Sequence, residues 1–305
     1  MISVCICTYR RPGMLADLLA QLSLQTLGDT IDAVEIVVID NDPAHSAQQV
    51  LAQWQVPPGF RLIVRHVPEP NIALARNAAV AAASGEWIAF VDDDEVPCTD
   101  WLVLLWTCVQ KHGADGVCGP VLPVYPPEIP SWIVKGRYFE RNRLASGTRI
   151  TEADARTGNA LVRSARLSAL PGPFDSAFGR TGGEDSVLFR DMLSRGASFV
   201  WCDEAPVHEV VPVDRANMRW LLRRSFRVGQ TWIRAELLRM PRRQACLNGA
   251  RLGMKALGQL FACALLVVLC APFSRIRAFA WARTGAMQLG KLTGMTRFQY
   301  REYAS

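Results

Sequence analysis

The stretch Trp87-Ile88-Ala89-Phe90-Val91-Asp92-Asp93-Asp94-Glu95 decides the fold. Four of its first five residues are large and apolar, and the run is too short for a helix, which predicts a buried β-strand. Four consecutive acids follow, and crowded carboxylates are unfavourable unless a cation neutralises them. At the carboxyl end of a strand in an open α/β sheet, such a cluster is expected to face a ligand. Clustered oxygen ligands suit Mg²⁺ or Mn²⁺ with phosphate oxygens, and a solvated acidic turn is the alternative.

Three further strand patterns precede this one and alternate with helical patterns. The strands are expected at Ile2–Cys7, Val34–Ile39 and Leu62–Val67. One helix is expected from Pro12 onward, with leucines at helical spacing, and another in the alanine-rich stretch that follows Asn71. Strand and helix alternating in this order predict an α/β fold with a doubly wound, mostly parallel sheet.

Polar residues follow three of these four strands. Thr8, Asp40 and the run Asp92–Asp94 lie at the strand ends, which a parallel sheet brings to one edge. We therefore expect one crevice that is lined by these side chains and suited to a nucleotide. The sequence contains neither GxGxxG nor a P-loop motif, so a dinucleotide-binding fold and a P-loop nucleotidase are not supported.

The chain after the acidic strand is expected to complete this domain. Strands are predicted at 157–162 and 198–201, and the Pro-, Arg- and aromatic-rich stretch from Pro123 to Thr151 is predicted to be a long loop over the crevice. A flexible loop from Phe174 to Gly183 leads into Glu184-Asp185 at the start of another helix. Acidic residues in a first turn are stabilised by the helix dipole, so capping alone is the alternative to a functional role for this pair.

Charge is distributed unevenly along the chain. Residues 1–214 contain 17 basic and 26 acidic residues, whereas residues 215–305 contain 17 basic and 2 acidic residues. A mildly acidic domain at 1–212 is therefore expected to precede a basic, helical region at 213–305 that binds an anionic surface. Nucleic acid is not expected as the partner, because no nucleic-acid-binding motif accompanies the charge, and a membrane remains. Nine cysteines without CxxC pairs and the lack of a signal-peptide pattern predict a cytoplasmic catalytic domain.

The basic region contains an apolar run of about eighteen residues at 256–273, at the lower limit for a membrane span. Two basic residues precede it closely and two follow it, so the positive-inside rule gives no orientation. Upstream, residues 218–238 mix arginines with large apolar side chains, which is typical of an interfacial helix. Three interpretations of the run stay open: a buried core helix, a single span, or a segment half-sunk in the cytoplasmic leaflet.

Taken in order, these motifs resemble those of inverting glycosyltransferases of family 2, which have the GT-A fold. The resemblance covers about the first 210 residues and rests on five stretches: Val4-Cys5-Ile6-Cys7-Thr8-Tyr9-Arg10-Arg11-Pro12, Val38-Ile39-Asp40-Asn41, Asn71-Ile72-Ala73-Leu74-Ala75-Arg76-Asn77, Phe90-Val91-Asp92-Asp93-Asp94-Glu95 as a DxD motif, and Gly183-Glu184-Asp185 as an ED motif. Within the family, the pattern is most similar to bacterial exopolysaccharide glucosyltransferases of the succinoglycan type.

The resemblance implies a nucleotide-sugar site, with a UDP-sugar as the expected donor. The residues that it assigns to this site are Thr8, Arg10, Asp40, Asn71, Arg76, Asp92 and Asp93. Of these, Thr8 and Asp40 would contact the nucleobase and the ribose, Arg76 would lie nearby, and Asp92 would lie near the ribose.

The resemblance also implies a metal site and a catalytic base. Asp94 would ligate Mg²⁺ or Mn²⁺ on the diphosphate. His208 resembles a histidine that reaches the metal or the diphosphate in some members, and a core or surface role is the alternative for a lone histidine. Asp185 would be the catalytic base, with Glu184 beside it in the same motif.

These residue types fit sugar transfer by a single displacement. The anomeric carbon develops positive charge while the diphosphate leaves with growing negative charge, which a metal and an arginine such as Arg76 can stabilise. Asp185 would take the proton of the acceptor hydroxyl, a contribution of about 10²–10⁴-fold. The QxxRW motif of processive members does not occur, so addition of one sugar is expected. The resemblance also implies a lipid-linked saccharide as the acceptor, which agrees with a basic region that holds the enzyme at the cytoplasmic face of the inner membrane.

Two rival interpretations come from other classes. A non-catalytic nucleotide-sugar-binding or polysaccharide-assembly protein at the membrane would keep the crevice but need no base, and the presence of Asp185 argues against it. A metal phosphohydrolase could use the acids Asp92–Glu95. The multi-histidine ligand sets expected of such an enzyme are missing, since the sequence has only four histidines, none of them paired.

Overall fold

The structure, a computed structural model, describes residues 1–238 and 240–296. They form two compact units. The N-terminal unit comprises Met1–Val124, Arg141–Arg180 and Glu184–Val210, and the C-terminal unit comprises Tyr125–Glu140, Thr181–Gly183 and the chain from Val211 onward. The domain boundary between residues 212 and 213 stays a prediction.

The N-terminal unit is built on strands that are buried on both faces. In chain order, the described strands are β1 Ile2–Thr8, β2 Val34–Asp40, β3 Phe60–His66, β4 Trp87–Val91, β5 Glu95–Pro97, β6 Gly116–Cys118, β7 Val121–Val124, β8 Asn159–Arg163, β9 Phe199–Trp201 and β10 Val207–Val210. Seven of them form one sheet in the order β3-β2-β1-β4-β8-β6-β9, in which only β8 runs antiparallel to its neighbours. This confirms the predicted α/β class and the mostly parallel sheet.

Helices cover the sheet and build the C-terminal unit. The described α-helices are α1 Pro12–Leu22, α2 Gln48–Gln53, α3 Ile72–Ala82, α4 Trp101–His112, α5 Ser131–Lys135, α6 Ser164–Ser168, α7 Glu184–Ser194, α8 Met218–Leu237, α9 Arg242–Cys270 and α10 Arg275–Gly294. Alternate residues of the central strands enter two separate hydrophobic clusters. Val38 packs with the leucines of α1, whereas Val37 packs with the alanines of α3 and with Leu188 of α7. Two-sided burial explains why these strands read as continuous apolar runs.

The register of the parallel strands places the predicted polar residues at one edge. Thr8 lies opposite Asp40 on the neighbouring strand, and Cys5 lies opposite Phe90. Continued for three residues beyond the last pair, this second register brings Thr8 level with Asp93. The short strands β5, β10 and β7 form a second sheet, in which His208 pairs with Val96. Of the strands with only three or four residues, β9 alone was predicted, whereas β5, β6, β7 and β10 were absent from the sequence-based expectation, because such short strands carry little periodicity.

The stretch from Pro123 to Thr151 is less irregular than predicted. It begins within β7 and contains α5, and its first part, Tyr125–Glu140, belongs to the C-terminal unit. The rings of Trp132 and Tyr138 contact Phe279 of α10 edge-on, each with centroids 5.3 Å apart, and this burial supplies the order that sequence periodicity did not reveal.

The C-terminal unit is a packed set of long helices. Asn217 caps α8 by accepting the N–H of Trp220, and Ser274 caps α10 by accepting the N–H of Arg277. Where α8 and α10 cross, a Cβ on Gly290 would clash with the backbone carbonyl of Phe226, so only glycine permits this close approach. The two helices are therefore in backbone contact.

Candidate active site

The carboxyl edge of β1 and β4 brings a hydroxyl and two acids together. Thr8 donates its hydroxyl hydrogen to Asp93 Oδ2 at 2.8 Å, as the register of the two strands requires. Arg11 Nη1 lies 3.1 Å from Asp93 Oδ1 and 2.8 Å from Asp94 Oδ2. Burial raises the pKa of Asp93 to about 6, although Arg11 opposes the shift. Sequence reasoning had assigned Arg10 to the site and missed Arg11.

Backbone geometry explains why the second arginine reaches the acids. Arg10 has a φ of 56°, in the left-handed region, and its Nε donates to Asp42 Oδ1 at 3.2 Å. Arg11 then occupies the N-cap position of α1, directly before Pro12. The sequence shows two adjacent arginines after β1. It does not show the turn at Arg10 that points the two side chains in different directions.

The acids at this edge fit a small cation. The carboxylates of Asp93 and Asp94 converge on one guanidinium nitrogen of Arg11, so a positive charge already lies between them. Carboxylate oxygens are also the ligands that Mg²⁺ and Mn²⁺ prefer. Asp94 and Asp93 would hold the ion. His208 is exposed on β10, one register pair away from Glu95. No group of three or more His, Cys, Asp or Glu side chains in the described part of the chain has the arrangement of a metal site.

Arg76 joins the acidic strand to the ED motif. Its Nη2 lies 2.9 Å from Asp92 Oδ1, and its Nη1 lies 2.5 Å from Glu184 Oε1. The Arg76 side chain is only 9% exposed, and burial alone would lower its pKa, but the carboxylates of Asp92 and Glu184 outweigh that effect and raise the pKa. A single buried cation therefore links the two sequence motifs, which lie about ninety residues apart in the chain.

Glu184 is held by Arg76 on one side only. Its Oε2 is buried and has no hydrogen-bond partner among the described residues. Burial raises the pKa of Glu184 to about 7, and the attraction of Arg76 offsets this only in part. Asp185, the next residue, is half-buried, and its Oδ1 accepts the backbone N–H of Ser186 at 2.7 Å. The motif thus places a buried carboxyl with a raised pKa beside a more accessible one in the first turn of α7.

Two predicted nucleotide-sugar residues make structural bonds at the same edge. Asp40 accepts the backbone N–H of Asp42 on Oδ1 and that of Ala47 on Oδ2, each at 3.0 Å, which closes the loop after β2. Asn71 caps α3, accepting the N–H of Ala73 at 3.1 Å, and donates to a backbone carbonyl in the loop at 176–179. Their contact with a donor stays a prediction, since these bonds already use much of their polar capacity.

Glu95 was grouped with the metal-binding acids in one rival interpretation, and the structure gives it a supporting position. It is 2% exposed, and its Oε2 accepts the backbone N–H of Asp92 at 2.8 Å. Burial, followed by the charge of Asp92, raises its pKa well above the ordinary value. Glu95 therefore closes the acidic turn from the inside and orients Asp92.

The loop that precedes the ED motif is held within the C-terminal unit. Arg234 of α8 donates to the hydroxyl of Thr181 at 3.3 Å, and a Cβ on Gly182 would lie 3.2 Å from Arg227 of the same helix. Gly182 and Gly183 have φ values of 76° and 98°, which other residues rarely adopt. The Gly-Gly sequence directly before the motif is thus a conformational requirement.

Comparison with known proteins connects this geometry with a family. The model for "Glycosyl transferase family 2" matches residues 3–168, more than half of the chain. The succinoglycan biosynthesis protein ExoM of Rhizobium meliloti (strain 1021) is 34% identical over 301 residues, which cover 96% of this chain and 92% of that protein.

Solved structures of S. aureus TarS have a similar fold. The chain is 16% identical to TarS 1–349 in complex with UDP, with a TM-score of 0.54 over 98% of this chain and 93% of that one. For TarS 1–349 in complex with UDP-GlcNAc the identity is 14% and the TM-score 0.51, over 96% and 90%. The chain spans 55% of a longer TarS structure, with a TM-score of 0.53. The fold, the family match and the extended similarity to ExoM agree: this chain is a glycosyltransferase and belongs to glycosyl transferase family 2.

Proposed function

We propose that the chain transfers one sugar from a UDP-hexose to a lipid-linked saccharide, with inversion at the anomeric carbon. The product would serve the synthesis of a bacterial exopolysaccharide or another cell-surface glycan, at the cytoplasmic face of the inner membrane. Support for the pathway comes from the similarity to a succinoglycan biosynthesis protein over nearly the whole chain. Support for a uridine nucleotide comes from the fold shared with TarS, which was solved with UDP and with UDP-GlcNAc.

The contact that carries this proposal is the bridge made by Arg76. The buried guanidinium bonds Asp92 in the acidic turn and Glu184 in the ED motif. It therefore fixes the ED motif, which contains Asp185, relative to the sheet edge where a diphosphate would bind. A protein that only bound a nucleotide-sugar would have no need to couple these two motifs. A transferase needs a base at a set distance from the donor.

The side chains divide the reaction between them. Asp93 and Asp94 would hold Mg²⁺ or Mn²⁺, which neutralises the leaving diphosphate when it is bound. Thr8 and Arg11 keep the two acids in place. Asp185 would accept the proton of the acceptor hydroxyl.

Glu184 supports the base. Because burial raises the pKa of Glu184 to about 7, the negative charge of Glu184 beside Asp185 is reduced at neutral pH, and Arg76 compensates the charge that remains. Arg76 contributes a fixed positive charge near the developing negative charge of the diphosphate.

The test is donor turnover by the purified, detergent-extracted chain. UDP-, GDP- and dTDP-hexoses are supplied with Mn²⁺ or with EDTA, and both hydrolysis and transfer are measured. We expect one UDP-hexose to be consumed in a metal-dependent manner, and Asp94→Ala to abolish this consumption.

The matched control is Glu86→Gln, which removes an exposed carboxyl directly before β4, at the opposite end of the strand from the acids. It should retain full activity. Equal turnover with EDTA and with Mn²⁺ would contradict the metal proposal. Tight UDP binding without turnover of any donor, even with lipid-linked saccharides supplied, would favour the non-catalytic alternative.

A further inference from the structure

Helix α9 presents an uncovered apolar stripe. Five large side chains at helical spacing are each more than half exposed: Met254, Leu257, Phe261, Leu265 and Val268. In the most apolar eighteen-residue window of α9, only 11% of the residues are buried. A core helix would bury this face, so the first interpretation of the apolar run does not hold for the folded chain.

The opposite side of α9 packs against α10. Its buried residues are small, Gly249, Gly253, Ala256 and Cys263. A Cβ on Gly285 of α10 would lie 3.4 Å from the Cβ of Cys263, and Gly253 approaches Met295 just beyond the end of α10. The two helices are thus antiparallel neighbours, and α10 runs back along the apolar half of α9.

Exposed cations lie before, within and after the stripe along the chain. Along α9 and the start of α10 they are Arg242, Arg243, Arg251, Lys255, Arg275 and Arg277. The sequence has no acidic residue between positions 237 and 301. A face that combines large apolar side chains with cations alone is complementary to a lipid surface that carries negative charge.

The packing of the unit argues against a span by this helix. Because α10 lies antiparallel along the apolar half of α9, crossing the bilayer would carry Arg283, in the middle of α10, into the hydrocarbon. α10 is in turn in backbone contact with α8, whose arginines would follow: Arg219, Arg223, Arg224 and Arg227. Each arginine at the bilayer centre costs about 2.5–3.5 kcal/mol even on the mildest scale. The unit would have to come apart before α9 could span.

We propose that α9 lies in the plane of an anionic membrane leaflet, with the stripe from Met254 to Val268 in the outer hydrocarbon and the exposed cations among the lipid phosphates. A groove of about 210 Å³ between α9 and α10 is open on this unit and is lined by apolar side chains, including Leu260, Val267, Trp281 and Leu289. An apolar groove offers water few hydrogen-bond partners, so lipid hydrocarbon would occupy it more favourably than water. The inference rests on the membrane association within the proposed function and specifies its geometry.

Vesicle flotation tests the surface without any donor or turnover. The chain is mixed with vesicles of phosphatidylcholine alone or of phosphatidylcholine with the anionic lipid phosphatidylglycerol. We expect binding to the anionic vesicles only, weakened by salt. The double variant Phe261→Ser/Leu265→Ser should bind at least about tenfold more weakly, because two inserted side chains are lost.

The control is Val56→Ser, which changes an exposed apolar residue of the N-terminal unit and should leave binding unchanged. Thermal unfolding in detergent should be alike for all three proteins, since the replaced side chains are exposed. Equal flotation of the double variant and the unchanged chain would overturn the proposal.

Cysteine labelling separates an in-plane helix from a span. Phe273, 90% exposed, follows the end of α9, and the exposed native Cys246 lies in its first turns. In spheroplasts that express Phe273→Cys, a membrane-impermeant maleimide should modify neither position until detergent is added. Modification of either cysteine in intact spheroplasts would overturn the in-plane geometry. Since neither experiment involves catalysis, a failed transferase assay with these results retained would count against the proposed function alone.

Discussion

The charged clusters of this glycosyltransferase are largely buried and paired in one unit and exposed in the other. At the sheet edge of the N-terminal unit, Asp92, Asp93 and Glu184 each bond a cation, and Asp93 and Glu184 are buried. In the C-terminal unit, the cations of α9 are exposed and lie before and within an exposed apolar stripe along the chain. Removing one partner of a buried charge pair lowers the free energy of unfolding strongly, whereas removing one exposed charge changes it little. Exposed charges act together on a binding surface. We therefore expect substitutions at the sheet edge to change stability and catalysis, and substitutions on α9 to change membrane binding.

The largest effect is expected at Arg76. Replacing it in Arg76→Met leaves Glu184 buried without its cation, which at pH 8, above the pKa of Glu184, should lower the free energy of unfolding by about 3–5 kcal/mol. Arg180→Met is the matched control, because Arg180 pairs with Glu69 on the surface and should contribute about 0–1 kcal/mol. Chemical denaturation measures both values. Similar losses for the two variants would remove the contrast between buried and exposed pairs.

A pH-dependent effect of intermediate size is expected at Glu184. Its folded pKa of about 7 lies above the ordinary 4.5, so the fold favours the protonated form. The resulting stabilisation is complete below about pH 4.5 and is lost as the pH rises through about 7. Relative to Glu184→Gln, the unchanged chain should therefore lose on the order of 2 kcal/mol between pH 5 and pH 8.

Denaturation of both proteins across this pH range measures the difference. Glu86→Gln, at an exposed carboxyl, provides the baseline for the loss of a carboxyl that is not buried. If the difference for Glu184→Gln were constant, folding would not raise the pKa of Glu184, and the reduced charge proposed for it beside Asp185 would be wrong.

The smallest effect is expected at Asn71, where the sequence and the structure suggest different roles. Asn71 is the N-cap of α3, so Asn71→Ala should lower the free energy of unfolding by about 1 kcal/mol and leave the donor KM nearly unchanged. Asn217→Ala removes an equivalent cap from α8 and should have a similar cost. A large rise in donor KM without loss of stability would instead support the nucleotide-sugar role that family resemblance assigned to Asn71.

The sequence predicted those features that depend on repeated local patterns. Strands such as Val34–Asp40 are continuous apolar runs, and the polar residues after them could be placed at one edge by topology alone. The strand at Phe60–His66 was predicted at Leu62–Val67, two residues late at its start and one at its end, because its residues are only partly buried and its apolar pattern is weaker. Helix α8 was anticipated almost to its ends by its mixture of arginines and large apolar residues.

Features that depend on side-chain direction were not predictable. Arg10 and Arg11 are equivalent in sequence, and only the left-handed backbone of Arg10 shows which one faces Asp93. The bridge from Asp92 through Arg76 to Glu184 joins three distant positions, and periodicity carries no information about such a contact. Likewise, the choice among three interpretations of the apolar run needed the packing of α10 along α9, which hydropathy alone does not contain.

The central claim is that the N-terminal unit performs base-assisted sugar transfer at Asp185, and comparing binding with turnover in Asp185→Asn tests it most directly. Calorimetry gives the dissociation constant for the UDP-hexose, and a transfer assay with a lipid-linked saccharide gives kcat. We predict that kcat falls by about 10²–10⁴-fold while donor affinity is retained, because the amide keeps the shape of the side chain but cannot accept the proton. Transfer at an undiminished rate by Asp185→Asn would contradict the claim.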